Sequence, residues 1–327
     1  MRAPVAALAI GLVVLLAPVA ASAHSRLGEY QNMGHAPRDW QTPYPVRDGV
    51  PLVDYGSFRA ANPVTAAQYG LASWSLWMRY GDRPRLRAAL RVADWLVRTQ
   101  RRSGEWTYEF DYTSPGTTMA LHAPWGSALA QGQGVSLLRR VYEQTRRHTY
   151  VRAARRALTP LRCEVKDGGL AVARAGGLMF EEYPTERPSL PLNGHLQTLI
   201  GLYDMSDISR RARRLFRRGV VAIVRVLPEY DAGGGWSLYD LVHEVGFAPV
   251  RALPDYHAAH VRLLRLLYRL SPHAAFRVWA DRWASGKLDE TAEHPPGDAP
   301  RVVLGAHELP ALGAQAFARG GVLGERP

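Results

Sequence analysis

The sequence predicts an all-α fold, an α/α toroid in the form of an incomplete α/α barrel, with an extended N-terminal arm and little β structure. Three observations lead there. Apolar residues recur three or four apart in one segment after another. No run alternates apolar and polar residues long enough to argue a central sheet. Several helices joined by turns within one domain most simply pair off around a common core, leaving the loops at one end to form a cleft. At 327 residues the chain has ample material for that core.

In chain order, Arg2 precedes an apolar run from Val5 to Val19, and Ala21-Ser22-Ala23 supplies small residues before His24. This reads as a secretory signal peptide over residues 1–23, cleaved after Ala23 and placing the mature protein outside the cytoplasm. The run is too short for a comfortable membrane span, and no later stretch is apolar enough to make one. Residues 24–61 are polar, aromatic and broken by prolines, which reads as an extended arm with one short strand pair. Asn62-Pro63 opens a helix, asparagine as the cap and proline in the first turn. Helical stripes follow at Leu86, Leu90, Ala93 and Leu96; at Val135, Leu138 and Tyr142; at Leu196, Leu199, Ile200 and Tyr203, after an irregular stretch lasting to Asn193-Gly194; at Phe216, Val220, Ile223 and Leu227; and at Val261, Leu264 and Leu267. The toroid therefore runs over 62–286. Beyond it, 287–327 is Pro, Gly and Ala with scattered charge, and reads as a loosely ordered tail.

The formal charge of +12 is almost wholly arginine, since Lys166 and Lys287 are the only lysines. Arginine's fork suits the planar carboxylates of an acidic polysaccharide. Codon bias in a GC-rich genome gives the same excess, and composition does not place the charge. A nucleic-acid partner is disfavoured, because no nucleic-acid module is present and the chain reads as exported. Cys163 is the sole cysteine, so no internal disulfide forms, and a buried structural role is expected of it.

Chemistry concentrates in Phe180-Glu-Glu-Tyr-Pro-Thr-Glu-Arg-Pro-Ser-Leu-Pro-Leu-Asn-Gly-His195. Pro184 holds Tyr183 extended, and Pro188 and Pro191 stiffen a loop that delivers two carboxylates and a phenol to the mouth of a helix. Glu181-Glu182-Tyr183-Pro184, Leu192-Asn193-Gly194 and Leu199-Ile200-Gly201-Leu202-Tyr203-Asp204 resemble the C-terminal domain of the D-glucuronyl C5-epimerases. Further blocks agree in order: Ala128-Leu-Ala-Gln-Gly-Gln133, Leu227-Pro-Glu-Tyr-Asp231, Tyr239-Asp240-Leu241 with His243, and Asp255-Tyr256-His257 with His260. The similarity covers roughly Ala93 to Trp283, with a further match at Asn62 to Leu71. The β-rich region that larger members carry after that match is missing.

The resemblance implies an α/α toroid, a homodimer, and cofactor-free conversion of glucuronate to iduronate in heparosan or heparan chains. It carries proton transfer onto Glu182 and Tyr256, and binding of the uronate carboxylate onto Tyr183 and Tyr239. Asn193, Gln131, Gln133, Trp125, His243, His257 and Arg251 are the further candidates for substrate contact. The pattern breaks at Val242, where vertebrate-type members have an arginine, so either Arg251 substitutes or the substrate differs. Inverting C5 requires removing a weakly acidic proton and returning one to the opposite face, while the adjacent carboxylate is neutralised. A carboxylate and tyrosines suit those tasks, although a tyrosine acts as base only where its surroundings lower its pKa.

Other readings of these residues carry less. Neighbours on an extended segment point apart, so Glu181 and Glu182 do not make a glycosidase pair and Glu181 is the structural partner. His257 and His260 lack a third ligand, so no metal is expected. Gly132-Gln133-Gly134 lacks the third glycine and preceding strand of a dinucleotide loop and reads as a helix entry. Aromatic, glycine-rich connections at 104–110, 124–125 and 233–236 suit a cleft where sugar rings stack. A polysaccharide lyase and a non-catalytic acidic-polysaccharide binder stand as the alternative functions.

Overall fold

A computed structural model describes residues 27–30 and 46–286. The segments expected to form a signal peptide with its cleavage site and a C-terminal tail lie outside the described residues. Among the described residues eight α-helices form four antiparallel pairs: α1 (Pro63–Tyr80) with α2 (Arg83–Thr99), α3 (Ala128–Thr145) with α4 (His148–Arg156), α5 (Leu192–Met205) with α6 (Arg210–Val226), and α7 (Pro254–Leu270) with α8 (Ala274–Ala284). The first members pack in sequence, α1 on α3, α3 on α5 and α5 on α7, while the second members flank them. Packing of this kind does not join α7 to α1 among the described residues, so the toroid is open.

Sequence decides which helices lie inside. α3 is buried along almost its whole length up to Val141, and α5 along nearly every residue. α6 instead buries only Ala212, Leu215, Phe216, Gly219, Ala222, Ile223 and Val226, one face of an amphipathic helix. The closest approach is between α3 and α5, and glycine makes it: a Cβ on Gly201 would lie 2.1 Å from the Gly132 carbonyl oxygen. Gly132-Gln133-Gly134, expected at a helix entry, lies a turn inside α3, which already begins at Ala128, and its first glycine serves packing.

Asn62 caps α1 as its sequence predicts, its side chain accepting the Thr65 N–H at 3.0 Å. The arm differs from expectation in having a three-stranded antiparallel sheet, β1 (Val46–Arg47), β2 (Val50–Asp54) and β3 (Arg59–Ala61), where one strand pair was expected. Ahead of it Tyr30 is buried and its N–H reaches Ser75 Oγ at 3.0 Å, while Glu29 pairs with Arg79, so this piece docks on α1. Cys163 is exposed, contrary to the expected burial. What packs there is its peptide: the carbonyl accepts from Ala171 N–H at 3.0 Å and faces Gly169.

Short strand pairs gather around the opening of the inner helices. β4 (Thr107–Tyr108) pairs with β7 (Trp125–Gly126), β5 (Tyr112–Thr113) with β6 (Ala120–Leu121), and β8 (Ala171–Arg174) with β9 (Gly177–Phe180). β9 leads into the acidic loop. That loop is stitched to its surroundings by backbone bonds: Glu181 carbonyl to Ala128 N–H, Tyr239 carbonyl to Leu192 N–H, and Ser189 carbonyl to Leu241 N–H, all within 3.0 Å.

Candidate active site

The Glu181 carboxyl organises the loop. Fully buried, it accepts the N–H of Tyr183 at 3.0 Å and of Leu190 at 2.9 Å. Leu190 sits at φ 55, a conformation unfavourable for a branched residue. Its two peptide groups are both held, the N–H by Glu181 and the carbonyl by the Tyr230 hydroxyl at 2.7 Å. Burial pushes the Glu181 carboxyl up to about 7 even against those bonds. Glu181 faces the loop's own backbone while Glu182 turns to Asn193 and Tyr183, as expected of neighbours on extended chain.

Glu182 lies beside the first turn of α5. Helix α5 begins at Leu192, so Asn193 and Gly194 are already helical and do not end the loop. A Cβ on Gly194 would lie 2.6 Å from Glu182 Oε2, so this glycine makes room for the carboxyl; Asn193 Nδ2 approaches the same oxygen at 3.4 Å. Burial, aided by the like charges of Glu181 and Asp240, pushes Glu182 up to about 8. Asp240 is buried too and pushed up to about 7, its main partner being the Val242 N–H. Three buried carboxyls thus crowd one region, and the principal influences on each include no cation.

Tyr183 lies within hydrogen-bonding reach of both Glu182 and Tyr239. Tyr239 meets Tyr256 edge to face, ring centroids 5.0 Å apart. Burial holds the phenols of Tyr183, Tyr239 and Tyr256 above their usual value, and the Glu182 charge adds to this at each. All three are neutral hydroxyls at ordinary pH. The condition for a tyrosine to act as base, surroundings that lower its pKa, is not met, because burial first and the acidic neighbours second raise it.

Trp125 joins this cluster through an aromatic wall. It stacks on Tyr108 at 3.9 Å and lies 5.9 Å from Tyr112 and 6.3 Å from Tyr183. Tyr112 also influences Tyr183 and Tyr256 electrostatically, which places it in the site. Tyr112 is absent from the residues the sequence points to, and Asp240 enters there only as part of the Tyr239-Asp240-Leu241 block, without a role. The signal for the first was present: Trp106, Tyr108, Phe110 and Tyr112 alternate with Thr107, Glu109 and Asp111, the period of a strand with one aromatic face.

Several expected contacts are corrected. Gln131 spends its carboxamide on backbone, accepting from Trp106 N–H at 3.0 Å and donating to the carbonyls of Gly104 and Ala157, so it is a structural tie. Gln133 is buried between α3 and α5, bonded to Gln197. His257 stacks on Trp236 at 3.8 Å, its Nδ1 accepting Ser237 N–H at 3.2 Å while Nε2 meets the Trp283 carbonyl at 3.1 Å. His260 Nδ1 lies 2.9 Å from the same Ser237 hydroxyl. The two rings anchor a loop; among the described residues no group of three or more His, Cys, Asp or Glu is placed to hold a metal. His243 stands exposed on the turn Val242–Val245. Arg251 is exposed also, its backbone bridging to Leu238 next to Tyr239. Val242 is wholly buried, so the position at which the resemblance implies an arginine brings a small apolar side chain and no charge.

Residues 100–285 match the family model of the D-glucuronyl C5-epimerase C-terminus. The chain is 35% identical over 218 residues to the D-glucuronyl C5-epimerase of Caenorhabditis elegans, covering 62% of this chain and 35% of that protein. It therefore spans about a third of the length of that curated relative. Among solved structures, the GH76A alpha-1,6-mannanase from Salegentibacter sp. superposes with a TM-score of 0.51 at 12% identity, over 78% of this chain and 68% of the other. That likeness is one of fold, the α/α toroid.

Proposed function

Because the chain belongs to the D-glucuronyl C5-epimerase C-terminal family, we propose that it inverts C5 of D-glucuronate residues to L-iduronate within a heparosan-like polysaccharide. The observation that carries this is the gathering of Glu182, Tyr183, Tyr239 and Tyr256 in one cluster, with Glu182 pushed up to about 8. A carboxylate with so high a pKa is a stronger base than an ordinary one, and its pKa is near the working pH, where general acid–base groups act best. Glu182 takes the C5 proton. Tyr256, a neutral phenol, gives a proton to the opposite face; it then regains one from solvent as Glu182 releases the proton it took. The hydroxyls of Tyr183 and Tyr239 donate to the uronate carboxylate as enolate charge develops, a task left to phenols because Val242 brings no charge. Trp125 and Tyr112 offer flat faces to the sugar ring. Export through the leader belongs to the same reading, and a mature N-terminus at His24 tests it.

Incubation with heparosan in deuterated water tests the reaction. The expected result is deuterium at C5, iduronate among the products and chains of unchanged length. Label is the sensitive readout, since abstraction and return use different groups and each exchanges with solvent. New unsaturated ends would make the protein a lyase. Neither label nor cleavage, with binding retained, would make it a binder.

A further inference from the structure

Helix α6 carries Arg210, Arg211, Arg213, Arg214, Arg217, Arg218 and Arg225, and no acidic residue. Its apolar face is buried against α5 and β9, and all seven arginines are exposed on the other side. Arg213 and Arg225 donate to the carbonyls of Ser206 and Ala175, which leave their charge uncompensated. No ion pair reaches Arg210, Arg211, Arg214, Arg217 or Arg218 from a carboxylate among the described residues. At 100° per residue Arg210, Arg214, Arg217, Arg218 and Arg225 fall within one face, running about 22 Å along the axis. The end bearing Arg210 follows the C-terminus of α5, away from the active-site cleft at the N-terminus of that helix, while Arg225 lies near the β8–β9 turn.

This arrangement works against the helix itself. Arg210 and Arg211 occupy the first turn, with no acidic residue there to suit the positive end of the dipole. Arg210 with Arg214, Arg213 with Arg217 and Arg214 with Arg218 are like charges four apart, which repel. A solvated outer face needs no such concentration. Local rules broken without a structural gain are most often broken at functional surfaces.

We propose that the outer face of α6 is a second binding surface for an acidic polysaccharide, holding a long chain on the outer wall of the toroid while one of its residues occupies the cleft. The inference rests on the proposed reading in taking the uronate polymer as the occupant. Charge complementarity argues for a polyanion, and the planar fork of arginine matches carboxylates bidentately. Helix α2 is the internal control, since its exposed Arg83, Arg87, Arg91 and Arg98 supply four charges on another outer helix.

Binding of fluorescein-labelled long-chain heparosan is compared in wild type, in R210Q/R214Q/R217Q/R218Q and in R83Q/R87Q/R91Q/R98Q. The two variants have the same net charge. A loss of about tenfold or more in the α6 variant against about twofold in the α2 variant, both shrinking with added salt, is expected from a localised surface. The α6 variant should melt no lower than wild type, because repulsion is removed, and should keep wild-type label uptake on a short heparosan oligosaccharide. The corresponding four-lysine variant keeps the charge, guards against a folding defect and should retain most of the affinity. Equal losses in the α2 and α6 variants would overturn the proposal in favour of net charge alone. Equally tight competition by duplex DNA would overturn it by making the surface indifferent to polysaccharide. Binding that depends on α6 in a protein that takes up no label would sink the epimerase reading and leave this surface standing; label uptake with binding indifferent to α6 would do the reverse.

Discussion

Replacing Glu182 by glutamine should stabilise the protein at alkaline pH while abolishing turnover. The Glu182 carboxyl is 6% exposed, with Asn193 Nδ2 at 3.4 Å and the like charges of Glu181 and Asp240 around it. Folding raises its pKa from the usual 4.5 to about 8. Between those values the folded state holds a proton that the unfolded state has released, so stability falls as pH rises through the window. The slope is at most about 1.4 kcal/mol per pH unit. Since Glu181 and Asp240 share the titration, the loss carried by Glu182 at pH 8 is roughly 3–4 kcal/mol. Glutamine keeps an acceptor for Asn193 and cannot ionise, so the variant should match wild type within about 1 kcal/mol near pH 4.5 and outlast it increasingly above. For a chain of this size that difference moves the melting temperature by on the order of 10 °C at pH 8. Circular dichroism melts of both proteins from pH 5 to 9 read it directly, with label uptake measured alongside. Parallel melting curves across that range would refute the argument, since Glu182 would then ionise as it does in the unfolded chain.

Three further outcomes follow from the packing and the site. Tyr256→Phe removes one hydroxyl from the proposed proton donor, so kcat should fall at least about 100-fold with KM little changed; near-normal turnover in a folded variant would remove Tyr256 from the mechanism. Gln131→Ala strips three bonds from buried backbone and should cost roughly 2–5 kcal/mol in denaturant unfolding, while KM of the surviving enzyme stays the same; a raised KM would restore Gln131 to substrate binding. Gly201→Ala pushes a methyl to 2.1 Å from the Gly132 carbonyl, and should cost about 3 kcal/mol or more because two helix backbones must separate; an unchanged melting temperature would show that α3 and α5 are less closely packed than the geometry has them.

The sequence alone determined the helical class, the cap at Asn62, the placement of most of the helices and the family, because periodicity, capping and motif order are properties of residues close in the chain. It also set Glu181 apart from Glu182, since neighbours on extended chain diverge whatever surrounds them. Tertiary structure decided what each motif residue is for. Gln131 lies in one of the motif blocks and His257 follows Tyr256 directly in another, yet they serve backbone and loop, and only the partners brought by Trp106, Ala157, Ser237 and Trp283 show it. Gly194 reads as a loop's end in sequence and is a close-packed helical residue in space. The ionisation of the site was likewise invisible in the chain, because the pKa of Glu182 depends on burial and on Asp240, 58 positions away. Arginine is abundant throughout the composition, but its charge becomes a surface only where α6 turns one face to the core and the other to solvent.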